Sequence, residues 1–354
     1  MLKVFIDPSN RIKYSSYYIK GLEDFVGKKN ISFSSKYFND LNRKTESHSF
    51  DHYMAFVIVK DKTIKKIIID FRDKITIKQN AYKWCDKYAK INFNKRLTED
   101  QYLEKIISIP PGFGIKLWGF WKTSYYSILN LVRCKLSPLE SFKIHFMDYY
   151  GMYFRRTYIE NYNKNKSGYL KWKTAGLIKT YIFFISTLWQ HDNCVTGTNV
   201  LRKKFIDLCK MNDKIEFEGG FYSNASHPQY NEYKDIIFLD RYSIDEYIKK
   251  TKLSSFVFNT PAVFNCHGWK LGEYLAMGKA MISTPISNEM PEELIHGKNI
   301  HIVNNNDELE EAINLLVNDE EYRKNLEMET NSYYEKYASP KNVIKYVLKD
   351  LVII

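Results

Sequence analysis

The chain has 354 residues, of which 44% are hydrophobic and 16% aromatic; this is material for about two separately cored domains and excludes a disordered polypeptide. Its formal charge of +12 points to anionic partners such as phosphorylated substrates, acidic membrane or nucleic acid, although a lysine excess beside many Asn, Ile and Tyr is also what an AT-rich genome produces. The five cysteines form no C-x-x-C pair, which excludes a disulfide framework or zinc ribbon and fits a reducing compartment, and no apolar run reaches the roughly 18 residues of a membrane span.

In chain order, residues 2–6 read as a buried strand and not as a secretion signal. Ser15 or Ser16 is a candidate cap for the next helix, where Tyr18, Ile19, Leu22, Phe25 and Val26 share one stripe. With a strand expected from Asn30 to Phe38, the opening is β-α-β and predicts a parallel sheet. Ala55 to Val59 and Ile67 to Asp70 are further strands, and the short turn between them allows a hairpin. A helix is expected from Tyr82 to Tyr88 and a strand from Ala89 to Phe93. Ile106 to Gly114, with its Pro-Pro-Gly, reads as a loop that follows a strand. From about residue 115 to Tyr181 the chain is aromatic, basic and expected to be helical. Its start, Lys116-Leu117-Trp118-Gly119-Phe120-Trp121-Lys122, mixes Trp and Lys as a headgroup-level surface does, and a packed interdomain helix is the alternative.

Tyr181 to Ser186 opens a second strand-helix series. Asn199 to Met211 is a helix, Ile215 to Phe217 a strand, Ser243 to Thr251 a helix and Ser255 to Phe258 a strand. The stretch from Asn265 to Thr284, N-C-H-G-W-K-L-G-E-Y-L-A-M-G-K-A-M-I-S-T, is the most informative. It predicts a short helix with Lys270 and Glu273 on one face and Leu271, Tyr274 and Leu275 towards a core. Gly278 is placed to end the helix in the left-handed conformation, and Met281 to Thr284 is a buried strand. Ser339-Pro340 marks a last helix start, with Val343, Ile344, Val347, Leu348 and Leu351 as its apolar stripe.

The Asn265–Thr284 stretch resembles the donor-binding helix of nucleotide-sugar glycosyltransferases with the GT-B fold, especially retaining family 4 and its bacterial surface-polysaccharide relatives. Pro291-Glu292-Glu293-Leu294-Ile295-His296-Gly297-Lys298-Asn299 and Asp307-Glu308-Leu309-Glu310-Glu311-Ala312-Ile313 resemble the phrases that follow it in that family. The resemblance is strong over 254–330 and weak before about residue 180. It implies an α/β fold of two doubly wound, Rossmann-like domains facing a cleft. Residues 1–170 would form the acceptor-binding domain, with the aromatic insertion from about 115, and 171–335 the nucleotide-sugar domain. Residues 336–354 would be a helix crossing back to the first domain.

By the same resemblance Glu273 bonds the ribose hydroxyls, and the helix N-terminus at Gly268 meets the diphosphate with help from Lys270. His267, Thr260 and Leu271 complete the expected donor side. Asn265 stands where the family often has a second glutamate; an amide bonds hydroxyls but carries no charge. Arg202, chosen over Lys203, is the expected grip on phosphate, a solvated helix face being the alternative. Asp73, in Asp70-Phe71-Arg72-Asp73 at a strand end, is a candidate to activate or orient the acceptor, and an internal Asp–Arg tie is its rival. His52, in Ser49-Phe50-Asp51-His52, is a second candidate catalytic residue. The loop Asp7-Pro8-Ser9-Asn10-Arg11 lacks the double glycine of many relatives and offers Asn10 and Arg11 for acceptor or phosphate.

The expected activity is transfer of a sugar from a UDP-linked donor to a glycan or lipid-linked acceptor in surface polysaccharide synthesis, with retention. No D-x-D phrase occurs, so no metal or other cofactor is expected, the nucleotide sugar being a co-substrate. A cytoplasmic location is expected, with peripheral contact at the inner face of an anionic membrane and no nucleic acid partner. Two alternatives stand beside it. One is a nucleotide-sugar epimerase of the same fold; the other is a non-enzymatic polyanion-binding protein, which would group its lysines on one face.

Overall fold

The computed structural model describes residues 2–43, 53–134, 138–163, 171–174, 177–238 and 241–351. The chain divides into two compact units. The first comprises Met1–Ile159, Asn288–Glu292 and Glu335–Ile354; the second comprises Glu160–Ser287 and Glu293–Tyr334. Asn288–Glu292 thus belongs with the first unit: Glu289 donates its N–H to the Phe93 carbonyl and accepts from the Ser108 hydroxyl at its own.

The first unit is built on a six-stranded sheet in the order β2-β1-β3-β4-β5-β6. The strands are β1 (Leu2–Ile6), β2 (Ile31–Phe33), β3 (Met54–Lys60), β4 (Thr63–Asp70), β5 (Lys87–Lys90) and β6 (Ile106–Ser108). All neighbours are parallel except β3, which runs against both β1 and β4. The two-residue turn between β3 and β4 closes the expected hairpin, because so short a link cannot make a parallel crossover. The buried runs Met54–Ile58 and Ile67–Asp70 carry no alternation, as strands covered on both faces should.

Three local expectations give way to tertiary pairing. Tyr88 lies in β5, not in a helix; the helix is α2 (Gln79–Trp84), and Tyr88 is held by ladders to both β4 and β6. The expected strand at 30–38 shrinks to β2. Helix α1 (Ile12–Val26) starts before Ser15 and Ser16, so neither caps it. Ser15 instead donates to the Arg11 carbonyl, and Ser16 accepts from the Ile115 N–H.

After β6 come α3 (Phe120–Arg133), α4 (Pro138–Phe142), a π-helical segment Lys143–Asp148 and α5 (Tyr149–Arg155), so the aromatic stretch is helical as expected to this point, but not up to Tyr181: Lys171–Thr174 and Leu177–Thr187 are strands. In the second unit β7 (Lys171–Thr174), β8 (Leu177–Thr187) and β9 (Ile215–Tyr222) form one sheet. A second, parallel sheet holds β10 (Val257–Asn259), β11 (Met281–Ser283) and β12 (His301–Ile302). Ser254 and Ser255 tie the two together: Ser255 N–H donates to the Tyr181 carbonyl, and Ser254 Oγ accepts from the Phe183 N–H. One core spans both sheets, with Ile182, Phe184, Phe258 and Ile282 at its centre. Its helices are α6 (Asn199–Met211), α7 (Ile244–Leu253), α8 (Trp269–Met277), α9 (Asn306–Asn318) and α10 (Glu320–Tyr333).

The last helix, α11 (Pro340–Leu348), has Ser339 at its N-cap and proline at its first position. Its apolar stripe is buried and it packs on α1 within the first unit. Gly21 makes that approach possible: a Cβ there would lie 2.1 Å from the Pro340 carbonyl oxygen. Two α/β units with the final helix returned to the first match the element order expected of the GT-B fold.

Candidate functional site

The donor-side residues gather around the N-terminus of α8 in the second unit. Gly268 is the N-cap of this nine-residue helix, offers no side-chain cap, and lines a small cavity. Thr260, Cys266, His267, Gly268, Leu271 and Ser287 line it. At the other end Gly278 takes φ 61° and ψ 44°, the left-handed stop read from the sequence, and β11 follows at once.

Arg202, on α6, is 4% exposed. Its Nε donates to Thr260 Oγ1 at 2.8 Å and its Nη1 to the Thr187 carbonyl at 3.4 Å. No carboxylate among the described residues pairs with it. Burial pushes the guanidinium down to about 10. The adjacent Lys203 instead pairs with Asp207 on the surface of the helix. Lys270 lies over the rings of Tyr247 and Tyr274, at 5.1 and 5.8 Å from their centroids. Burial pushes its amine down to about 8; Glu273 opposes this and Arg202 adds to it. Two cations therefore stand within electrostatic reach of each other with Glu273 as the nearby carboxylate.

Glu273 is buried and accepts from the Tyr247 hydroxyl at 3.0 Å. It is not a solvated helix-face residue. Burial, and then the Glu273 charge, raise the Tyr247 phenol well above its ordinary value, so the phenol stays a donor. His267 is buried, and burial pushes it down to about 4, so it is a neutral imidazole near pH 7. Leu271 is buried against the cavity wall.

Asn265 is exposed on a loop with an unusual backbone: Phe264 and Asn265 both take positive φ, 57° and 54°. Such conformations cost about 1 kcal/mol or more each and need support. Asn193 supplies it. Its Nδ2 donates to the Ala262 carbonyl at 3.0 Å and to Asn265 Oδ1 at 3.1 Å, and its Oδ1 accepts from the Phe264 N–H at 3.1 Å. Neither Asn193 nor Tyr247 was legible in the sequence. Each sits more than 25 residues from the group it serves, and no short motif links them.

In the first unit, the Asp–Arg tie is present. Asp70 is fully buried at the end of β4 and receives bonds from Arg72 Nη2 at 2.7 Å, Tyr88 at 2.7 Å and Lys90 Nζ at 2.9 Å. Burial alone would raise the Asp70 carboxyl, but Arg72 and Lys90 hold it well below the usual carboxylate range. Asp73, three residues on, is exposed on the loop that this cluster anchors. His52 lies outside the described residues.

Two candidates in the loop after β1 are corrected. Asn10 is buried and its amide is spent on the Ala55 backbone and on Arg43. Arg11 forms a fork with Asp148. Both hold the loop in place. Trp118, grouped with Trp121 as a surface residue, is 5% exposed and donates to Glu23 at 2.9 Å.

No protein-family model matches the chain, and no curated protein matches it. Among solved structures it is similar to the C-terminal domain of a glycosyl transferase group 1 family protein (LpcC) from Francisella tularensis. The identity is 13% over 50% of this chain and 96% of that one, with a TM-score of 0.39. It is similar to TarM at 12% identity, over 78% of this chain and 47% of that one, with a TM-score of 0.44. It is likewise similar to Anabaena Alr3699/HepE in complex with UDP and glucose, at 12% identity over 78% and 65% of the two chains, with a TM-score of 0.44. The chain thus spans about half of TarM and just under two thirds of HepE. At this level of similarity, the chemistry rests on the side chains described above.

Proposed function

We propose that this chain is a glycosyltransferase that takes a sugar from a nucleotide-diphosphate donor, with UDP as the nucleotide, and passes it to a glycan or lipid-linked acceptor. The observation that carries the proposal is Arg202. A guanidinium buried to this degree with no carboxylate partner among the described residues is costly unless an anion completes its environment. The uncapped α8 N-terminus beside Thr260 and the amine of Lys270 favour the same kind of ligand.

In this scheme Arg202, Lys270 and the α8 N–H groups meet the charge that develops on the leaving diphosphate. Glu273, held by Tyr247, accepts from the ribose hydroxyls. Asn265 bonds a sugar hydroxyl, and its backbone strain fixes where it points. Thr260 sets the Arg202 fork through its hydroxyl. Asp73 takes or orients the acceptor proton. With these cations and dipoles supplying the neutralisation, the scheme needs no metal. Retention of stereochemistry follows the family resemblance.

The test is a thermal-shift panel with UDP, GDP, ADP and CMP on the wild type and on Glu273→Ala. A ligand far above its Kd stabilises by a few kcal/mol. The expected result is a shift with UDP that the variant loses. Absence of a shift with any nucleotide would overturn the proposal.

A further inference from the structure

Helix α3 is built inside out. Its buried residues are Thr123, Ser127 and Asn130, all polar. Its exposed residues include Trp121, Tyr125, Ile128 and Val132, at spacings of four, three and four, so they form one apolar stripe. Trp121 is 83% and Val132 79% exposed. Inward polar groups make bonds within the unit: Ser127 Oγ donates to the His145 carbonyl, and Asn130 Nδ2 to the Tyr149 hydroxyl at 2.8 Å. The helix is therefore locked in this orientation.

The next helical stretch continues the same surface. Phe142, Phe146, Tyr150 and Phe154 stack at successive ring-centroid distances of 5.4, 6.3 and 6.4 Å. Phe120 joins this ladder to α3, touching Trp121 at 5.4 Å and Tyr150 at 6.2 Å, and Tyr150 donates to the Ser124 hydroxyl at 2.8 Å. The result is a continuous aromatic and aliphatic face across two helices. Soluble monomers rarely leave such a face to water.

The chemistry around it selects the occupant. Between Lys116 and Glu160 the sequence carries seven Lys or Arg and three Asp or Glu. Of the acids, Asp148 is tied to Arg11. Arg133, Lys143 and Arg155 are exposed on the same helices. A second copy of the chain would bring like charges together across the contact. An anionic bilayer is complementary to both the rings and the cations, since Trp and Tyr favour the headgroup level and Lys and Arg the acidic lipids. No helix among the described residues is long and apolar enough to cross a membrane.

We propose that the outward faces of α3 and of the Pro138–Arg155 helical stretch form a docking surface for an anionic lipid bilayer, on which the helices lie in the interfacial plane. It is independent of the nucleotide site, and vesicle binding needs no nucleotide, so either proposal can fail alone.

The experiment is flotation of the full chain with vesicles of phosphatidylcholine alone or with about one third phosphatidylglycerol. It compares wild type with Trp121→Ser/Ile128→Ser/Val132→Ser/Phe154→Ser, four exposed positions whose change leaves the buried polar contacts intact. The wild type should float with the anionic vesicles, lose binding as salt is raised, and bind the neutral ones less. The variant should bind at least about tenfold less, the equivalent of losing one well-buried side chain, with an unchanged circular dichroism spectrum. On the unmodified chain, brominated lipid should quench tryptophan emission. Wild type that does not float, a folded variant that floats equally, or absent quenching would overturn the proposal. So would a wild-type dimer that the variant converts to monomer, since a second copy would then cover the face.

Discussion

Replacing Arg202 with methionine separates a binding group from a structural one, because the two roles predict opposite signs. The burial that pushes this guanidinium from 12.5 to about 10 corresponds to a cost of about 3 kcal/mol in the ligand-free protein. The bonds to Thr260 Oγ1 and the Thr187 carbonyl return part of it, about 1–3 kcal/mol together, the second being long. Methionine fills much of the same volume and carries no charge. The ligand-free protein should therefore keep its stability or gain up to about 2 kcal/mol, or a few degrees in melting temperature for a unit of this size. Nucleotide binding should weaken in the same variant. Loss of a charge-assisted contact to a phosphate is worth about 1.5–3 kcal/mol, so the Kd for UDP should rise roughly ten- to a hundredfold. Calorimetric titration with UDP and a melting curve without it read both signs on one sample. A ligand-free melting temperature lowered by more than about 5 °C, with UDP affinity within a few-fold of wild type, would show that Arg202 is a core strut and refute the reasoning.

Lys270 gives a pH dependence. Its amine is pushed down to about 8, so it is charged below that value and neutral above it. Since the charged form favours a diphosphate, UDP affinity should fall as pH rises through about 8, and Lys270→Met should flatten the titration curve. Tyr247→Phe removes the hydroxyl at 3.0 Å from Glu273 and should cost about 1 kcal/mol in denaturant unfolding, with a few-fold loss of UDP affinity. Asp73→Asn should abolish sugar transfer to acceptor while leaving UDP binding and the melting temperature unchanged; turnover near wild type would remove Asp73 from the reaction. Asp70→Asn strands Lys90 and Arg72 in the interior and should destabilise by about 3–5 kcal/mol, measured by urea unfolding.

The sequence was most legible where local rules and the fold agree. Helix α6 ends where its pattern does, although helical backbone precedes it through the π-helical Cys194–Thr198, and α8 stops at Gly278 because only a left-handed residue allows β11 to start so soon. Ser243 with Glu246 makes a full capping box at α7. Legibility failed where distant chain segments decide. Tyr88 belongs to a strand because β4 and β6 flank it, and no periodicity in its neighbours says so. Asn10 and Arg11 look like ligands in a loop sequence, but Arg43 and Asp148, far along the chain, consume them. Trp118 and Trp121 are three apart in one aromatic run; their opposite burial follows from which face of the helical layer Glu23 approaches.

Two buried cations, Lys90 and Arg202, are told apart by their counter-charges, and burial alone would not separate them. Lys90 is fully buried, yet Asp70 sits 2.9 Å away and Arg72 shares the same carboxylate. Protonating Asp70 would undo that cluster. Its pKa is held below the unfolded value, so the stability it adds is present above about pH 4 and is lost as pH falls further. That is the behaviour of a structural tie, complete without any ligand. Arg202 is buried to a similar degree, yet its partners are a hydroxyl and a carbonyl, neither of which carries the opposite charge. A protein under selection for stability alone would place an apolar side chain there. The proposed function accounts for the retained charge: a phosphate group would meet Arg202, Lys270 and the α8 helix start at once.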